Sequence, residues 1–241
     1  MGRQLSLHIM RYNPDTPEIK PFLQTFRLEE DERMTLFVAL NKIREEQDPS
    51  LQFDFVCRAA ICGSCGMLIN GKPTLACKTL TKELPADITL MPLPVFKMLG
   101  DLSVDTGTWF REMNLKTEAW INTEKQFDPK AREERMTNDQ ALKIYEADRC
   151  IECGCCIGGC ATANIRPDFL GAAGLNRVAR FMVDPRDERT DQDYFEIVGN
   201  DEGVFGCVGL MACDDNCPMD IPLQEQLAYV RRKMAVAGFR R

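Results

Sequence analysis

The chain has 241 residues, a formal net charge of −7, twelve cysteines and a single histidine. Its length allows two domains, each with a core of its own, and the acidic balance argues against nucleic acid as a partner. No apolar leader precedes Leu5, and no apolar run is long enough to span a bilayer. We therefore expect a protein of a reducing compartment whose thiols hold metal and do not form disulfides.

The first hundred residues carry the pattern of a mixed β-sheet covered by one helix. Alternating apolar residues predict strands over 4–12 and 23–28 that pair as a hairpin. Thr35 can cap a helix whose apolar residues recur at i, i+4 and i+7. Asn70-Gly71 between two short apolar runs predicts a second hairpin with a type I′ turn, and 88–91 predicts a last strand. With a cysteine loop at the sheet edge, this arrangement predicts a β-grasp domain.

The cysteine loop reads Cys57-Arg-Ala-Ala-Ile-Cys62-Gly-Ser-Cys65, and Cys77 follows the second hairpin. Cys-x4-Cys-x2-Cys with a distant fourth cysteine is the plant-type spacing for a [2Fe-2S] cluster. Small loop residues let backbone N–H groups approach the cluster, and such hydrogen bonds raise the reduction potential. These small residues are Ala59, Ala60, Gly63, Ser64 and Gly66.

Past the predicted sheet the sequence turns helical. Residues 93–110 are rich in proline and glycine and predict the crossing from a β-grasp domain over 1–105 to an all-α domain over 106–241. Thr137 or Asn138 can cap a helix over 139–147. The apolar residues around the start of this domain are interpreted as packing residues: Trp109, Phe110, Met113, Trp120 and Ile121.

Three more segments complete the helical domain. Gly171 begins an amphipathic helix that stops at Asp184-Pro185, and the charged stretch 184–193 is interpreted as a solvated loop or a subunit contact. Pro222 suits the first turn of a last helix, with apolar residues along one face. Its basic end predicts a solvated face or an approach to anionic lipid headgroups. The basic residues are Arg231, Arg232, Lys233, Arg240 and Arg241.

Two further cysteine runs share one spacing. Cys150 begins Cys-x2-Cys-x2-Cys-x3-Cys, the bacterial ferredoxin run in which three cysteines hold one cluster and the fourth crosses to another. The run from Cys207 to Cys217-Pro218 matches it, except that Leu210 replaces the middle cysteine.

The crossover rule gives four thiols for a [4Fe-4S] cluster: Cys150, Cys153, Cys156 and Cys217. It gives three for the other: Cys160, Cys207 and Cys213. Leucine cannot ligate iron, so the second cluster is predicted to be [3Fe-4S]. Cys155 lies outside the spacing.

Disulfides or zinc are the alternative for these thiols, but zinc sites use two separated cysteine pairs, which the matched four-position runs do not supply. A Rieske centre needs two histidines, and the chain has one. The sequence contains no Ser/His/Asp set, dinucleotide fingerprint or P-loop, so we expect no catalytic residue for organic chemistry in this chain. Three clusters predict a relay between a two-electron partner and a one-electron partner.

Several motifs resemble the iron-sulfur subunit of succinate dehydrogenase and fumarate reductase along nearly the whole chain. These are Cys57-Arg-x3-Cys62-Gly-Ser-Cys65-Gly, Asp101-Leu-Ser-Val-Asp105, Arg149-Cys150-Ile-Glu-Cys153-Gly-Cys-Cys156, Gly171-Ala-Ala-Gly-Leu, Arg180-Phe-Met-Val-Asp-Pro-Arg-Asp-Glu-Arg189 and Cys217-Pro218. The resemblance implies an FAD-containing flavoprotein partner, where fumarate and succinate interconvert, and a membrane anchor subunit that binds quinone. It implies the order FAD, [2Fe-2S], [4Fe-4S], [3Fe-4S], quinone.

Two departures refine this resemblance. Many succinate dehydrogenase members have Cys-Pro and a Trp-Trp pair where Ala161 to Ile165 follow Cys160 here, and a histidine where this chain has Val208. Those residues help to form the quinone pocket, so that pocket does not transfer to this chain. The sequence looks closer to menaquinone-linked fumarate reductases, which implies a cytochrome b anchor with haem b and menaquinone near the [3Fe-4S] cluster. It also implies a peripheral position on the cytoplasmic face of the bacterial inner membrane.

The alternatives are the same role in a succinate dehydrogenase that runs from succinate to quinone, and a free-standing ferredoxin that carries electrons by diffusion. Ferredoxins are shorter than this chain and rarely join a plant-type and a bacterial-type module. We therefore expect the menaquinol-linked fumarate reductase subunit.

Overall fold

The computed structural model describes residues 2–126, 128–130, 132 and 135–239. The chain divides into two compact units. The first contains the chain up to Trp109, together with 151–159 and 216–218. The second contains 110–150, 160–215 and the chain from Met219 onward. Because the units interleave along the chain, the domain boundary at 105/106 stays a prediction.

The first unit is built on a mixed five-stranded sheet with the order β2-β1-β5-β3-β4. Its strands are β1 Gln4–Arg11, β2 Phe22–Glu29, β3 Gly66–Ile69, β4 Lys72–Leu75 and β5 Asp87–Met91. Strands β1 and β5 are parallel, and the other neighbouring pairs are antiparallel. The central parallel pair joins two hairpins, which is the predicted β-grasp arrangement.

Helix α1, Leu36–Glu46, covers one face of this sheet. The Oγ1 atom of Thr35 accepts a hydrogen bond from the N–H of Val38, so the predicted cap is confirmed. The apolar face of the helix and the alternating residues of β1 are fully buried in one core: Leu36, Leu40, Ile43, Leu5, Leu7 and Ile9. Burial of these side chains provides the main driving force for this packing.

The second predicted hairpin is also present. Asn70 has φ of 50° and Gly71 has φ of 80°, the two left-handed positions that a type I′ turn requires. The turn joins β3 to β4, and the pairing of Gly66 with Leu75 closes the hairpin beside Cys65 and Cys77. A local sequence signal therefore places two of the predicted [2Fe-2S] ligands at neighbouring strand ends.

A small second sheet lies where the sequence predicted only a crossing between domains. Strands β6, Lys97–Gly100, and β7, Ser103–Asp105, pair antiparallel with an irregularity after Met98. Asp101 between them is buried, and its carboxylate accepts hydrogen bonds from the N–H groups of Tyr12 and Gln52 at 2.8 and 2.9 Å. The segment therefore belongs to the fold of the first unit.

Helices account for the regular structure of the rest of the chain. They are α2 Thr106–Lys116, α3 Asn138–Asp148, α4 Cys155–Gly158, α5 Ala161–Ile165, α6 Gly171–Met182, α7 Asp191–Val198, α8 Ala212–Asp215 and α9 Leu223–Phe239.

Helix packing forms the core of the second unit. There α6 packs against α3 and α9, and α7 packs against α9. Leu223, Leu227, Val230 and Met234 form the buried face of α9, as predicted. Thr137 caps α3 through a capping box with Gln140. Among the described helices, none is long and apolar enough to cross a membrane.

The prediction of a solvated loop over 184–193 is wrong for Asp184, Asp187 and Arg189, and the alternative of a subunit contact stays a prediction. Asp184 has a fully buried side chain and pairs with Arg180 and Arg186 at 2.8 and 2.6 Å. Asp187 pairs with Arg189 at 2.7 Å, and the two side chains are 1% and 4% exposed. The charges neutralise one another inside the unit, which the composition of the segment does not reveal.

Two further expectations have mixed outcomes. Phe110 and Met113 are buried, as predicted for packing residues, whereas Trp120 is 49% exposed. Arg231 and Arg232 lie on an exposed part of α9, and Arg240 and Arg241 lie outside the described residues.

Candidate iron-sulfur cluster sites

The loop between α1 and β3 gathers sulfur atoms and backbone donors. The N–H of Ala60 donates to Cys77 Sγ at 3.3 Å, and that of Cys57 donates to Cys62 Sγ at 3.4 Å. Cys57 Sγ accepts from the N–H groups of Ile61 and Cys62 at 3.3 and 3.2 Å. The structure thus brings Cys57 and Cys62 of the loop together with Cys77, which follows β4.

Unusual backbone angles produce this convergence. Arg58 and Ala60 have φ of 56° and 57°, and Gly63 has φ of 76°. Alternation of left-handed and ordinary conformations turns successive N–H groups toward one side, which forms a concave site for an anion. The predicted role of the small loop residues fits this arrangement, because an iron-sulfur cluster held by four thiolates is anionic.

Ionisation differs among these thiols. Burial opposes ionisation of Cys62, but hydrogen bonds from Ser64 and Cys57 outweigh it and lower the pKa of Cys62 to about 6. Ser64 Oγ lies 3.1 Å from Cys62 Sγ. Burial raises the pKa of Cys65 to about 12, and Cys65 and Cys77 are both buried. Cluster binding requires the thiolate form, so the loop donors favour the species that would ligate iron.

Cys153, Cys156 and Cys217 lie in the same unit as this loop. A Cβ atom added to Gly159 would lie 3.2 Å from the Cγ of Asn216, so the segment that carries Cys217 packs directly on the one that follows Cys156. Lys78 Nζ donates to the Pro218 carbonyl at 2.7 Å and fixes the far side of that segment. The fold therefore returns a distant cysteine to the first run, in the manner of the crossover rule.

Cys150 is in the second unit, directly after the C-cap of α3. Its N–H donates to the Ala147 carbonyl, which also accepts from Asn176 Nδ2 at 3.0 Å. Arg149 donates to the Asp220 carbonyl at 3.1 Å. These contacts fix the end of α3 and hence the backbone position of Cys150.

Cys155 is fully buried in the first unit. A hydrogen bond with Cys153 and burial together raise the pKa of Cys155 far above its ordinary value. Cys155 therefore remains a neutral thiol beside a predicted ligand. All twelve cysteines lie in the described part of the chain, and none of them forms a disulfide.

The three remaining cysteines line one cavity of the second unit. Cys160, Cys207 and Cys213 face it together with Leu210, whose side chain is 67% exposed. Val208 and Met211 also line the cavity and are exposed, so its outer rim is apolar. The structure therefore places three sulfur atoms and one aliphatic side chain around the same space, which fits the ligand set of a three-iron cluster.

Helix α9 touches two of these cysteines. Gln224 Nε2 donates to Cys213 Sγ at 2.9 Å, and Arg231 Nη2 donates to the Cys207 carbonyl at 2.6 Å. Burial raises the pKa of the Cys213 thiol. Sequence reasoning missed Gln224, because it lies eleven residues beyond Cys213 and no spacing rule reaches it.

Comparisons with known proteins agree with this geometry. A family described as a 2Fe-2S iron-sulfur cluster binding domain matches residues 6–111, and a 4Fe-4S dicluster domain matches residues 146–221. The fumarate reductase iron-sulfur subunit of Wolinella succinogenes is 57% identical over 235 residues, which cover 97% of this chain and 98% of that protein. This chain belongs to the family of fumarate reductase and succinate dehydrogenase iron-sulfur subunits.

Other members of this iron-sulfur subunit family match along most of their length. The succinate dehydrogenase iron-sulfur subunit of Coxiella burnetii is 33% identical, over 95% of this chain and 97% of that protein. The fumarate reductase iron-sulfur subunit of Haemophilus influenzae is 30% identical, over 90% and 88%. A chain of the Mycobacterium smegmatis Sdh1 complex has the same fold, with a TM-score of 0.84, 23% identity and coverage of 99% and 98%.

The family assignment confirms the fold class, with an N-terminal [2Fe-2S] domain and a helical dicluster domain. The first family match contains Cys57, Cys62, Cys65 and Cys77, and the second contains all the other cysteines. The identity of each ligand stays a prediction that the positions of the thiols support.

Proposed function

We propose that this chain is the electron-transfer subunit of a membrane-bound fumarate reductase. It relays electrons between membrane menaquinol and the FAD of a flavoprotein subunit that reduces fumarate to succinate. The observation that carries this proposal is the 57% identity with a fumarate reductase iron-sulfur subunit over nearly the full length of both chains. The dicarboxylate site belongs to the flavoprotein, and this chain supplies no catalytic residue for it.

The proposed ligand sets follow the cysteine spacing. Cys57, Cys62, Cys65 and Cys77 hold the [2Fe-2S] cluster, Cys150, Cys153, Cys156 and Cys217 hold the [4Fe-4S] cluster, and Cys160, Cys207 and Cys213 hold the [3Fe-4S] cluster. When bound, each cluster supplies a one-electron couple. The chain holds the thiolates in place, directs N–H groups toward them and keeps Cys65, Cys77 and Cys213 buried away from water.

The loop with the [2Fe-2S] ligands would face the flavoprotein. Val56 directly precedes this loop and Ile61 lies within it, and both side chains are strongly exposed although they are apolar. Apolar residues beside a buried redox centre suit a protein interface, because docking buries them and shortens the distance to the partner cofactor. The flavoprotein is the partner that this position would serve.

The cavity with the three remaining thiols would face the membrane anchor. Its apolar rim, formed by Val208, Leu210 and Met211, matches a lipophilic quinone and an apolar partner subunit better than water. We propose a cytochrome b anchor with haem b, menaquinone near the [3Fe-4S] cluster, and a peripheral position on the cytoplasmic face of the inner membrane. The exposed basic residues of α9 are compatible with anionic lipid headgroups nearby.

The second candidate is the same relay in a succinate dehydrogenase, which the 33% identity with the Coxiella burnetii subunit favours. Purification from native membranes separates the candidates. The expected preparation contains the chain with FAD and haem, and it reduces fumarate with a menaquinol analogue faster than it oxidises succinate. The opposite ratio would assign the succinate dehydrogenase role. A chain that purifies alone, without flavin or haem, would favour a free-standing carrier.

A further inference from the structure

A side chain of the last helix donates a hydrogen bond to one of the cavity thiols. Gln224 lies in the first turn of α9, and its Nε2 atom is 2.9 Å from Cys213 Sγ. The same residue lines the cavity. A cysteine sulfur that ligates iron is a thiolate and can only accept, so the NH₂ end of the Gln224 amide is the end that suits a cluster-bound Cys213.

Gln224 is held firmly in this position. Its backbone N–H donates to Asp214 Oδ1 at 3.0 Å, which ties the start of α9 to the residue next to Cys213. Leu223 and Leu227 on either side of it are buried and anchor the helix in the core. About two turns further along the helix, Arg231 donates a hydrogen bond to the Cys207 carbonyl. The helix therefore carries side chains that hold two of the three thiol segments.

We propose that Gln224 raises the reduction potential of the cluster that Cys213 holds, through the Nε2–H···Sγ hydrogen bond. The inference rests on the proposed function, in which Cys213 is a ligand of the three-iron cluster. Reduction adds one negative charge to the cluster and its thiolates. A donor at a ligand sulfur stabilises that charge more strongly in the reduced state than in the oxidised state, because hydrogen bonds to charged acceptors are the stronger ones.

Gln224 differs in kind from the donors around the [2Fe-2S] loop. There the donors are backbone N–H groups, such as those of Ala60 and Ile61, which no substitution except proline removes. At Cys213 the donor is a side chain, so a single substitution can weaken, abolish or strengthen it. Gln224 is therefore a positioning residue whose effect can be measured separately from the thiolates.

The test is a redox titration of the purified membrane complex, monitored by the EPR signal of the oxidised three-iron cluster. Gln224→Met keeps the length of the side chain and removes the donor. It should shift the equilibrium about tenfold toward the oxidised cluster at a fixed ambient potential, which corresponds to about 59 mV for one electron. Gln224→Lys restores a donor with positive charge and should give a potential at or above that of the unchanged protein.

Gln226→Met is the matched control, because Gln226 lies in the same helix and does not line the cavity. It should titrate like the unchanged protein. Equal potentials in Gln224→Met, Gln226→Met and the unchanged protein would overturn the inference and leave the proposed function intact. Absence of any oxidised three-iron signal in the unchanged complex would instead overturn the proposed ligand set.

Two charged variants of Gln224 test the inference if Gln224→Met does not assemble a cluster. Gln224→Glu places a carboxylate acceptor beside the thiolate, and Gln224→Lys places an ammonium donor there. The inference requires the glutamate variant to lie below the unchanged protein in potential and the lysine variant to lie at or above it. A potential that is the same in both variants would reject a role for the donor.

Discussion

A Cβ atom at Gly63 would lie 2.8 Å from the Cβ of Cys153 and 2.9 Å from the carbonyl oxygen of Ile151. Only hydrogen at Gly63 therefore lets the [2Fe-2S] loop meet the segment that carries Cys153. Gly66 makes a similar approach, with a built Cβ 3.0 Å from the Cys153 carbonyl. Two glycines on either side of Cys65 thus set how closely a proposed [2Fe-2S] ligand and a proposed [4Fe-4S] ligand approach.

Gly63→Ala should disturb both clusters. The added methyl group overlaps Cys153, and φ of 76° costs a non-glycine residue about 1–3 kcal/mol. We expect a weaker magnetic interaction between the reduced [2Fe-2S] and [4Fe-4S] clusters, and less iron per complex, as measured by EPR and iron analysis.

Gly71→Ala is the control for backbone strain, because Gly71 has φ of 80° and no atom within 4 Å of a built Cβ. It should lower thermal stability without changing the magnetic interaction. If both alanine variants gave the same spectra as the unchanged protein, the close approach of Gly63 would have no bearing on cluster spacing.

Leu210→Cys should convert the three-iron cluster into a four-iron cluster. Leu210 lines the cavity with three cysteines and is exposed, so a thiol there can reach the vacant corner without repacking the core. We expect loss of the oxidised three-iron EPR signal, a gain of about one iron per complex and a lower potential.

Leu210→Ala removes the aliphatic side chain without supplying a ligand, and it should keep the three-iron signal. Persistence of that signal in the cysteine variant, at full intensity, would contradict the assignment of Leu210 to the missing-ligand position.

Cys155→Ala should retain all three clusters, because Cys155 lies outside the ligand spacing and stays a neutral thiol. The fully buried sulfur leaves a small void, so we expect a stability loss of about 1–2 kcal/mol. The measurement is the EPR signal of the reduced [4Fe-4S] cluster together with the midpoint of thermal unfolding. Cys153→Ala, which removes a proposed ligand, should abolish the same signal. Loss of the signal in Cys155→Ala would require a different ligand set.

Arg189→Met should destabilise the second unit strongly. The guanidinium pairs with Asp187 at 2.7 Å, and both side chains are nearly inaccessible to water. Removing one partner of a buried pair leaves an uncompensated charge, which costs about 3–5 kcal/mol. Lys143→Met breaks an exposed pair with Asp139 in α3, and it should leave the midpoint of thermal unfolding nearly unchanged. Thermal unfolding of the two variants tests the difference.

The pH dependence gives a second check on the same pair. Burial opposes ionisation of Asp187, but the hydrogen bonds from Arg189 outweigh it, so its pKa lies below the ordinary 3.8. Its contribution to stability is therefore complete above pH 4 and is lost only as pH falls through the lowered pKa. In Arg189→Met the buried carboxylate of Asp187 loses the guanidinium and keeps only neutral donors, from Asn122, Tyr194 and the N–H of residue 189. Its pKa should therefore rise, and the variant should gain stability as pH falls from 7 to 5. A variant with the same flat profile as the unchanged protein over that range would contradict the role of the pair.

Local signals in the sequence predicted much of the first unit. The cap at Thr35, the turn at Asn70-Gly71 and the alternation in β1 each depend on residues close together in the chain, and the structure confirms all three. Strands β6 and β7 were missed, because their hairpin is anchored by Asp101, whose partners Tyr12 and Gln52 are far away in sequence.

The same limit explains the errors in the second unit. The charges of 184–193 predicted a solvated loop, because the composition of a segment shows only that it is charged. It does not show that Asp184 and Asp187 form buried ion pairs with arginines. Cysteine spacing predicted which thiols would assemble, since the runs encode a shared geometry. Gln224 joins Cys213 only after α9 folds back on it, so no pattern in the chain marks it.

Leu210 lines the rim of its cavity and is 67% exposed, so most of its side chain is not packed against the interior. If Cys160, Cys207 and Cys213 hold the three-iron cluster, exchange of that one side chain should change the potential of the cluster and leave the thermal stability of the protein nearly unchanged. Under the proposed ligand set, the iron content of this cluster is thereby separable from the stability of the fold.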